Sequence, residues 1–269
     1  MIVRTLDPSH DVLGPRPDTK QVLGSEYPYM AAIGILMYLA NTTCLDITFL
    51  VNLLARYSHE PTKRHWTSIK QLFRYLVGIE DMGLFFTGYG NHLVGYADVG
   101  FMSDPHKGHS QTSYVFLLEG NAISWHSIKQ TIVATSSNHG ENFALHEASR
   151  KCVWLRALRE HIQLSCGLEK YNESSILYED NAACVHQIQK GYIKGDCMKH
   201  IAPKFFFTSE LHGKEIAIQA INSCNNLADI FTKSLPASMH WKILPKLGLR
   251  QLHKLRSVEQ GENSSSHHR

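Results

Sequence analysis

The sequence has few of the features that mark a secreted or membrane-bound protein. Its six cysteines form no C-x-x-C pair, which argues against a disulfide framework. The longest apolar run, residues 30–40, is about half as long as the roughly 20 residues that span a bilayer. The first residues contain no apolar stretch typical of a secretory signal. We therefore expect an intracellular protein, cytoplasmic or nuclear, that makes no membrane contact.

The chain also carries little net charge. The chain of 269 residues has 27 Lys and Arg against 24 Asp and Glu, a formal net charge of +3. This balance argues against a strongly basic nucleic-acid coat protein but permits a local basic surface. No G-x-S-x-G, Walker or Rossmann motif is present, which disfavours a nucleophilic hydrolase or a nucleotide-binding domain. The composition, 43% hydrophobic and 19% charged, is that of a globular protein.

The pattern of apolar residues predicts two kinds of structure. Stripes at helical spacing predict three consecutive helices between residues 27 and 78. Short aromatic and β-branched segments between residues 82 and 125 predict the strands of an antiparallel meander. After residue 138, predicted helices alternate with single strands. This order is typical of an α/β (α+β) mixed sheet flanked by helices.

The change of pattern near residue 88 predicts the domain organisation. We expect a helical segment at residues 1–88 and the mixed-sheet domain at residues 89–245. Residues 246–269 are predicted to form a disordered tail, because the last part is rich in Ser and His and carries little apolar surface.

Acidic residues stand where predicted strands end and predicted helices begin. They are Asp98, Glu141, Asp180 and Asp229. Asp98 would serve as the start of a turn, and Glu141 would complete a capping box with Asn138. Asp180 would cap the helix that follows it, and Asp229 would lie in the first turn of the last predicted helix, where the dipole favours an acid. Taken one by one, these structural interpretations are favoured.

Taken together, the four acids predict a cation site. Glu141 begins an apolar helical stripe, which places its carboxylate on the buried face. All four positions belong to the edge at which open α/β sheets place their ligands. Four carboxylates at one edge repel one another unless a cation neutralises them. Oxygen ligands at that density suit Mg²⁺ or Mn²⁺ and not zinc.

The order of motifs along the chain resembles the C-terminal part of a copia-type LTR retrotransposon Pol polyprotein. In that polyprotein the end of the reverse transcriptase precedes a ribonuclease H domain. The resemblance covers about residues 20–250. Its strings include YPYMAAIGILMYLAN at 27–41, LVGYAD at 93–98, AISW at 122–125, YEDNAA at 178–183, KHI at 199–201 and LADIFTK at 227–233. The variants SDPH at 103–106 and NHGE at 138–141 resemble plant copies.

This resemblance implies a ribonuclease H-like fold preceded by a small helical segment. It implies that Asp98 lies on the first core strand, Glu141 on the first helix, Asp180 at the fourth core strand and Asp229 on the last helix, with the strand near Gly83 outside the core. It also implies that these acids are catalytic and hold two ions, Mg²⁺ or Mn²⁺. The implied reaction is hydrolysis of the RNA strand of an RNA–DNA hybrid.

The front segment resembles the thumb-like helical end of a reverse transcriptase. A polymerase of this family needs paired aspartates on a hairpin, and the chain contains no Asp-Asp dipeptide. We therefore expect no DNA synthesis by this chain alone. The implied partner is a reverse transcriptase palm domain, which normally belongs to the same polyprotein.

Two groups of basic residues are candidates for nucleic-acid binding. The first lies on the third predicted helix and comprises Lys63, Arg64, Lys70 and Arg74. These side chains form either a solvated face or a set of phosphate contacts. The second is Lys199 and His200 in the KHI string, for which substrate contact and loop anchoring are both open.

A second functional hypothesis stays open at the sequence level. The chain would then be a catalytically inert, truncated retroelement fragment that acts at most as a nucleic-acid-binding module. That hypothesis predicts duplex binding with a salt-sensitive affinity and no cleavage.

Overall fold

In the computed structural model, the described residues are 11, 13–15, 22–86, 92–170, 172–191 and 202–252. The helical front segment contains α1 (Tyr29–Thr42), α2 (Thr48–Ala55) and α3 (Lys63–Gly78), with a short 3₁₀ helix at Leu45–Ile47. A capping box starts α3: the Thr62 side chain accepts from the backbone of His65, and the Thr62 N–H donates to His65 Nδ1 over 3.1 Å. Three consecutive helices are present, as the apolar spacing predicts.

The front segment has its own apolar core. Side chains from all three helices, including Leu36, Val51, Leu54 and Ile69, are fully buried in one cluster. These residues are the stripes that the helical period predicts, since positions three and four apart share a face. No helix within the described ranges is both long enough and apolar enough to cross a membrane.

A five-stranded mixed sheet forms the second part. Its strands are β2 (Leu93–Gly100), β3 (Gln111–Leu118), β4 (Asn121–Lys129), β5 (Ser175–Glu179) and β6 (Ile216–Ala220). The order across the sheet is β4-β3-β2-β5-β6. The strands β2, β3 and β4 pair antiparallel, whereas β5 is parallel to both β2 and β6. The predicted α/β mixed sheet is confirmed.

The sheet is covered on both faces. On one face lie α4 (Ser137–Ser165), α5 (Ala182–Lys190) and α6 (Ala202–Leu211), which share an apolar core with Ala97, Phe116 and Leu177. On the other face, Val115 and Leu117 pack against a 3₁₀ helix at Leu227–Phe231, α7 (Ala237–Ile243) and a second 3₁₀ helix at Leu244–Leu247. The site residues therefore reach the sheet from two sides.

Two short strands form a separate sheet. β1 (Met82–Leu84) pairs antiparallel with β7 (Leu249–Gln251), so the strand near Gly83 lies outside the five-stranded sheet, as expected. The predicted tail boundary at residue 246 differs from the structure. Leu247 and Leu249 are buried, and ordered chain continues to residue 252, because the antiparallel partner β1 pairs with β7. Residues 253–269 lie outside the described residues.

The helical segment packs against the mixed-sheet part. The indole Nε1 of Trp125 on β4 donates to the carbonyl oxygen of Ala40 at the end of α1, over 2.7 Å. Leu45 is buried in the core beneath the sheet. Arg56, the residue after α2, donates to the side chain of Gln111 on β3. The two predicted units therefore share an interface with both apolar and polar contacts.

Candidate metal centre

Asp98 and Asp180 are brought together by neighbouring parallel strands. Val94 pairs with Ile176 and Tyr96 with Tyr178, so the same register places Asp180, just after β5, opposite Asp98. Asp98 lies within β2, two residues before its end. The interpretation of Asp98 as a turn residue is therefore wrong, because β2 continues past it to pair with β3.

The capping interpretations of Asp180 and Glu141 are also wrong. The helix after β5 is capped by Asn181, whose side chain accepts from Cys184 N over 3.1 Å. The helix that carries Glu141 starts earlier than predicted and is capped by Ser136, which accepts from His139 N. Both carboxylates are therefore left available for another role. The buried stripe that begins at Glu141 is present as predicted.

Asp229 lies in a 3₁₀ helix and not in the α-helix that the sequence predicts. Asn226 caps that helix by accepting from Ala228 N, and its Nδ2 donates to Ala97 O on β2 over 2.8 Å. The Leu235-Pro236 sequence disfavours helical backbone before the proline, so an α-helix does not extend through this region. The cap and its bond to β2 bring Asp229 to the sheet edge that carries Asp98.

Five carboxylates converge in two overlapping groups. Ligand oxygens of Asp98, Asp180 and Asp229, here called the Asp set, all lie within 4.8 Å of one another. Oxygens of Glu141, Glu179 and Asp180, here called the Glu set, meet the same limit. Asp180 belongs to both sets. The structure thus brings all four predicted acids together and adds a fifth.

Glu179 is the acid that the sequence reasoning missed. It is fully buried, although it precedes the predicted ligand Asp180 directly. Its inward position is visible only in the structure, where alternate residues Ser175, Leu177 and Glu179 are buried and those between them are partly exposed, because the sequence SILYE has no matching alternation of apolar and polar residues. A charged residue at an inward position of a strand is unusual enough to single it out.

The carboxylates reach the centre from both faces of the sheet. Asp98 pairs with Ser113, whose hydroxyl donates to Ala228 O, so Asp98 lies on the face covered by the 3₁₀ helix that carries Asp229. Glu179 lies on the same face as Leu177, which packs in the apolar core against α4, the helix that carries Glu141. Asp180, at the end of β5, connects the two sides.

Burial and mutual repulsion raise the pKa values of Asp98, Glu141 and Glu179. Burial raises the pKa of Asp98 to about 7, and the negative charge of Asp229 adds to that rise. Burial also raises the pKa of Glu141 to about 9, with a further contribution from Asp98. The pKa of Glu179 is raised well above its usual value, first by burial and then by Glu141. The charged forms therefore need a counter-charge.

The residues fit a divalent cation. All donors are carboxylate oxygens, which Mg²⁺ and Mn²⁺ prefer. Within the described ranges, Glu141 Oε2 and Glu179 Oε2 are buried and accept no hydrogen bond. A buried oxygen without a donor costs free energy unless a cation or a water satisfies it.

Two further side chains contact the Asp set. The Thr232 hydroxyl donates to Asp98 Oδ2. Lys233 Nζ lies 2.7 Å from Asp229 Oδ1. Burial alone would lower the pKa of Lys233, but the charges of Asp98 and Asp229 outweigh it and raise that pKa. Both residues belong to the LADIFTK string, but nothing in its pattern indicates these contacts.

Of the two groups of basic residues predicted to contact nucleic acid, the described part of the structure contains the first. The side chains of Lys63, Arg64, Lys70 and Arg74 are exposed on α3. Their exposure is compatible with either a solvated face or phosphate contacts. Lys199 and His200 lie outside the described residues.

Comparison with known proteins identifies the family. No protein-family model matches the chain. The Pol polyprotein of transposon TNT 1-94 from Nicotiana tabacum is 30% identical over 223 residues, which are 82% of this chain and 16% of that protein. The Pol polyprotein of transposon RE2 from Arabidopsis thaliana is 28% identical over 82% of this chain and 15% of that protein. The chain belongs to the copia-type retrotransposon Pol family.

The curated Pol members of this family are much longer than the chain, which spans about a sixth of their length. A shorter relative, named secreted RxLR effector protein 161, from Plasmopara viticola, is 40% identical over 48% of this chain and 91% of that protein. Among solved structures, LC11-RNase H1 in complex with an RNA/DNA hybrid has 19% identity and a TM-score of 0.39, covering 52% of this chain and 93% of that chain. The five-stranded mixed sheet with flanking helices is the architecture that the family resemblance implies, and Asp98 lies on its first strand, Glu141 on the helix α4 and Asp180 just after its fourth strand.

Proposed function

We propose that the mixed-sheet part of this chain is a ribonuclease H that hydrolyses the RNA strand of RNA–DNA hybrids with Mg²⁺ or Mn²⁺. The observation that carries the proposal is the pair of carboxylate sets that share Asp180. Membership of a retrotransposon Pol family supports the choice of substrate. The buried acids with raised pKa values support a cation as part of the resting site.

The two sets suggest how two ions are held. Asp98, Asp180 and Asp229 hold one, whereas Glu141, Glu179 and Asp180 hold the other. Two-metal sites share a ligand in this way. When bound, the ions supply an activated water and stabilise the departing 3′ oxygen of the cleaved strand.

The chain's own residues orient and balance these ligands. The Thr232 hydroxyl fixes the rotamer of Asp98 by donating to Oδ2. The Lys233 ammonium neutralises part of the charge of Asp229 before a cation arrives. Burial of Glu141 and Glu179 keeps bulk water away from their oxygens, which strengthens their interaction with a cation.

The exposed basic side chains of α3 support a position for the substrate. Lys63, Arg64, Lys70 and Arg74 line one exposed side of α3, where phosphates of the duplex would be contacted. The hybrid would be recognised by its shape and by its 2′-hydroxyls, and not by base sequence. In a full-length Pol protein, the partner of the helical segment would be the polymerase palm.

Hybrid cleavage tests the proposal directly. A labelled RNA–DNA hybrid is incubated with wild type, Asp98→Asn and Asp180→Asn in Mg²⁺. We expect both substitutions to lower kcat by about 10³-fold or more, since each removes a charged ligand. Glu169→Gln, which removes an exposed carboxylate outside both sets, is the matched control and keeps wild-type activity.

The inert-module hypothesis makes the opposite prediction. A folded wild-type protein would bind the hybrid with a salt-sensitive affinity and leave it intact. Its melting temperature would also not rise with Mg²⁺, because no site would gain binding free energy. An intact hybrid would overturn the ribonuclease proposal by itself, and an unchanged melting temperature would show in addition that no cation binds.

A further inference from the structure

A line of hydrogen bonds runs from the helical segment to the Asp set. It begins at Arg56, whose Nη2 donates to Gln111 Oε1. The Gln111 Nε2 group donates to Ser127 Oγ over 2.7 Å. The Ser127 hydroxyl in turn donates to the carbonyl oxygen of Phe231.

The last step reaches Asp98. The Phe231 carbonyl belongs to the peptide unit that leads into Thr232, and the Thr232 hydroxyl donates to Asp98 Oδ2. A bond to that carbonyl fixes the peptide plane and hence the direction of the Thr232 side chain. Asp98 on β2 pairs with Ser113 on β3, which pairs with Ser127 on β4, so Asp98 and Ser127 lie on the same face of the sheet. Gln111 lies two residues before Ser113 on β3 and therefore faces the same side.

Arg56 sets the direction of every bond in this line. A guanidinium only donates, so Gln111 must present its oxygen to Arg56 and its NH₂ group to Ser127. Ser127 then accepts from Gln111 and must donate to Phe231. Without a donor at residue 56, the Gln111 amide is free to turn over, and the Ser127 hydroxyl loses its fixed orientation.

The position of Arg56 is itself well defined. It follows α2 directly, and its side chain is only 13% exposed. Asp104, in the loop after β2, lies 3.7 Å from Arg56 Nη1 and balances its charge. The guanidinium is thus held between the helical segment and the loop that follows the strand of Asp98.

We propose that Arg56 is a positioning residue for Asp98, and that the helical segment is therefore a working part of the nuclease. The inference rests on the proposed function, because it assigns Arg56 a role toward the same cation site. Arg56 acts through Gln111, Ser127 and Thr232, and it touches neither substrate nor cation. Removing the Arg56 guanidinium leaves the orientation of the Asp98 carboxylate less fixed and lowers the affinity of the Asp set for a cation.

A competing explanation is that Arg56 binds a phosphate of the hybrid directly. It lines a cavity of about 230 Å³ together with Lys107 and Lys129. That explanation predicts a higher KM and a shallower salt dependence after substitution, with cation affinity unchanged. Measurements without nucleic acid separate the two explanations.

The experiment compares Arg56→Met, Arg56→Lys and Trp125→Phe in the full chain. Mn²⁺ affinity is measured by electron paramagnetic resonance without nucleic acid, and the amide resonances of Asp98 and Thr232 are recorded in metal-free protein. We expect Arg56→Met to weaken Mn²⁺ binding about tenfold, which corresponds to one lost positioning interaction, and to shift both resonances. Arg56→Lys, which keeps a donor, restores part of the affinity. Trp125→Phe removes a different contact of the helical segment, the hydrogen bond to Ala40, and leaves Mn²⁺ affinity and both resonances unchanged.

Ser127→Ala interrupts the same line of hydrogen bonds and serves as a second variant in case Arg56→Met folds poorly. It produces the same loss, and the double variant Arg56→Met with Ser127→Ala loses no more than either alone, since both act through one path. Cleavage shows a lower kcat at unchanged KM. Unchanged resonances and Mn²⁺ affinity in Arg56→Met would overturn the inference. A wild type that binds Mn²⁺ but does not cleave would instead contradict the proposed function alone.

Discussion

Lys233 Nζ lies 2.7 Å from Asp229 Oδ1, and this ion pair stands at the edge of five clustered carboxylates. The lysine places a positive charge against the Asp set, so it partly balances the set when no cation is present. A cation that binds Asp229 competes with Lys233 for the same oxygen. Stability without metal and affinity for metal should therefore respond to this residue in opposite directions.

Lys233→Met tests that competition. We expect a lower melting temperature in EDTA, because the carboxylates lose a counter-charge, and an apparent Mg²⁺ affinity that rises by up to about tenfold. Calorimetric titration and melting curves with and without Mg²⁺ measure both effects. Lys242→Met, an exposed lysine on α7, serves as the control and changes neither. A variant with weaker Mg²⁺ binding would show that Lys233 supports the ion instead of competing with it.

Glu179→Gln tests the residue that sequence reasoning missed. Burial raises the pKa of Glu179, so the metal-free protein spends free energy on keeping this group protonated near neutral pH; the neutral glutamine removes that cost, and the metal-free protein should become more stable. The same change removes a ligand of the Glu set, and we expect cleavage to fall by about 10²-fold or more. Urea denaturation in EDTA and hybrid cleavage in Mg²⁺ report the two effects. Normal cleavage by Glu179→Gln would remove Glu179 from the ligand set.

The raised pKa values of Asp98, about 7, and Glu141, about 9, predict how stability depends on pH. In the unfolded chain both groups have ordinary pKa values of about 4 and are deprotonated above about pH 5. Between about pH 5 and 9 the folded metal-free protein therefore binds more protons than the unfolded chain. The free energy of unfolding in EDTA should therefore fall as pH rises through this window. Saturating Mg²⁺ replaces the protons and flattens the curve. Denaturation at a series of pH values, with Asp98→Asn for comparison, checks the slope.

Gly100→Ala tests the close approach of the Thr232 backbone to β2. A Cβ atom at residue 100 would lie 2.9 Å from Thr232 O, so the backbone that carries the Asp98 contact must move. We expect a loss of about 1–3 kcal/mol in stability, as for other overpacked positions, and weaker Mg²⁺ binding. Gly34→Ala, in α1, meets no atom within 4 Å and should stabilise the protein by up to about 1 kcal/mol. Equal stability of the two variants would contradict this packing argument.

The exposed basic side of α3 predicts a salt effect on hybrid binding. Lys70→Gln combined with Arg74→Gln should reduce the slope of log affinity against log salt by about 2, one unit for each lost phosphate contact. Binding isotherms at several salt concentrations, with Ca²⁺ in place of Mg²⁺ to prevent cleavage, measure the slope. Lys190→Gln, at the exposed end of α5, is the control. An unchanged slope would leave this face as a solvated surface.

Local sequence patterns predicted much of the fold and four acids of the site. The helical period placed Glu141 on the buried face of α4, because residues three and four apart share a face. Strand patterns placed Asp98 at the end of a strand, although β2 continues for two more residues, and placed Asp180 just after β5. The same patterns misjudged the caps, since Ser136 and Asn181 compete with nearby acids as capping residues and only geometry shows which one bonds.

What the sequence determined by itself is therefore the set of elements and the inward or outward side of each residue. Those properties depend on neighbours within a few positions. Only the tertiary structure decided that Asp180 is shared by two carboxylate sets and that Arg56 is joined to Asp98 through side chains far apart along the chain. Thr232 and Asp98 are 134 residues apart. Their contact depends on how the 3₁₀ helix packs on the sheet, and no local period encodes that packing.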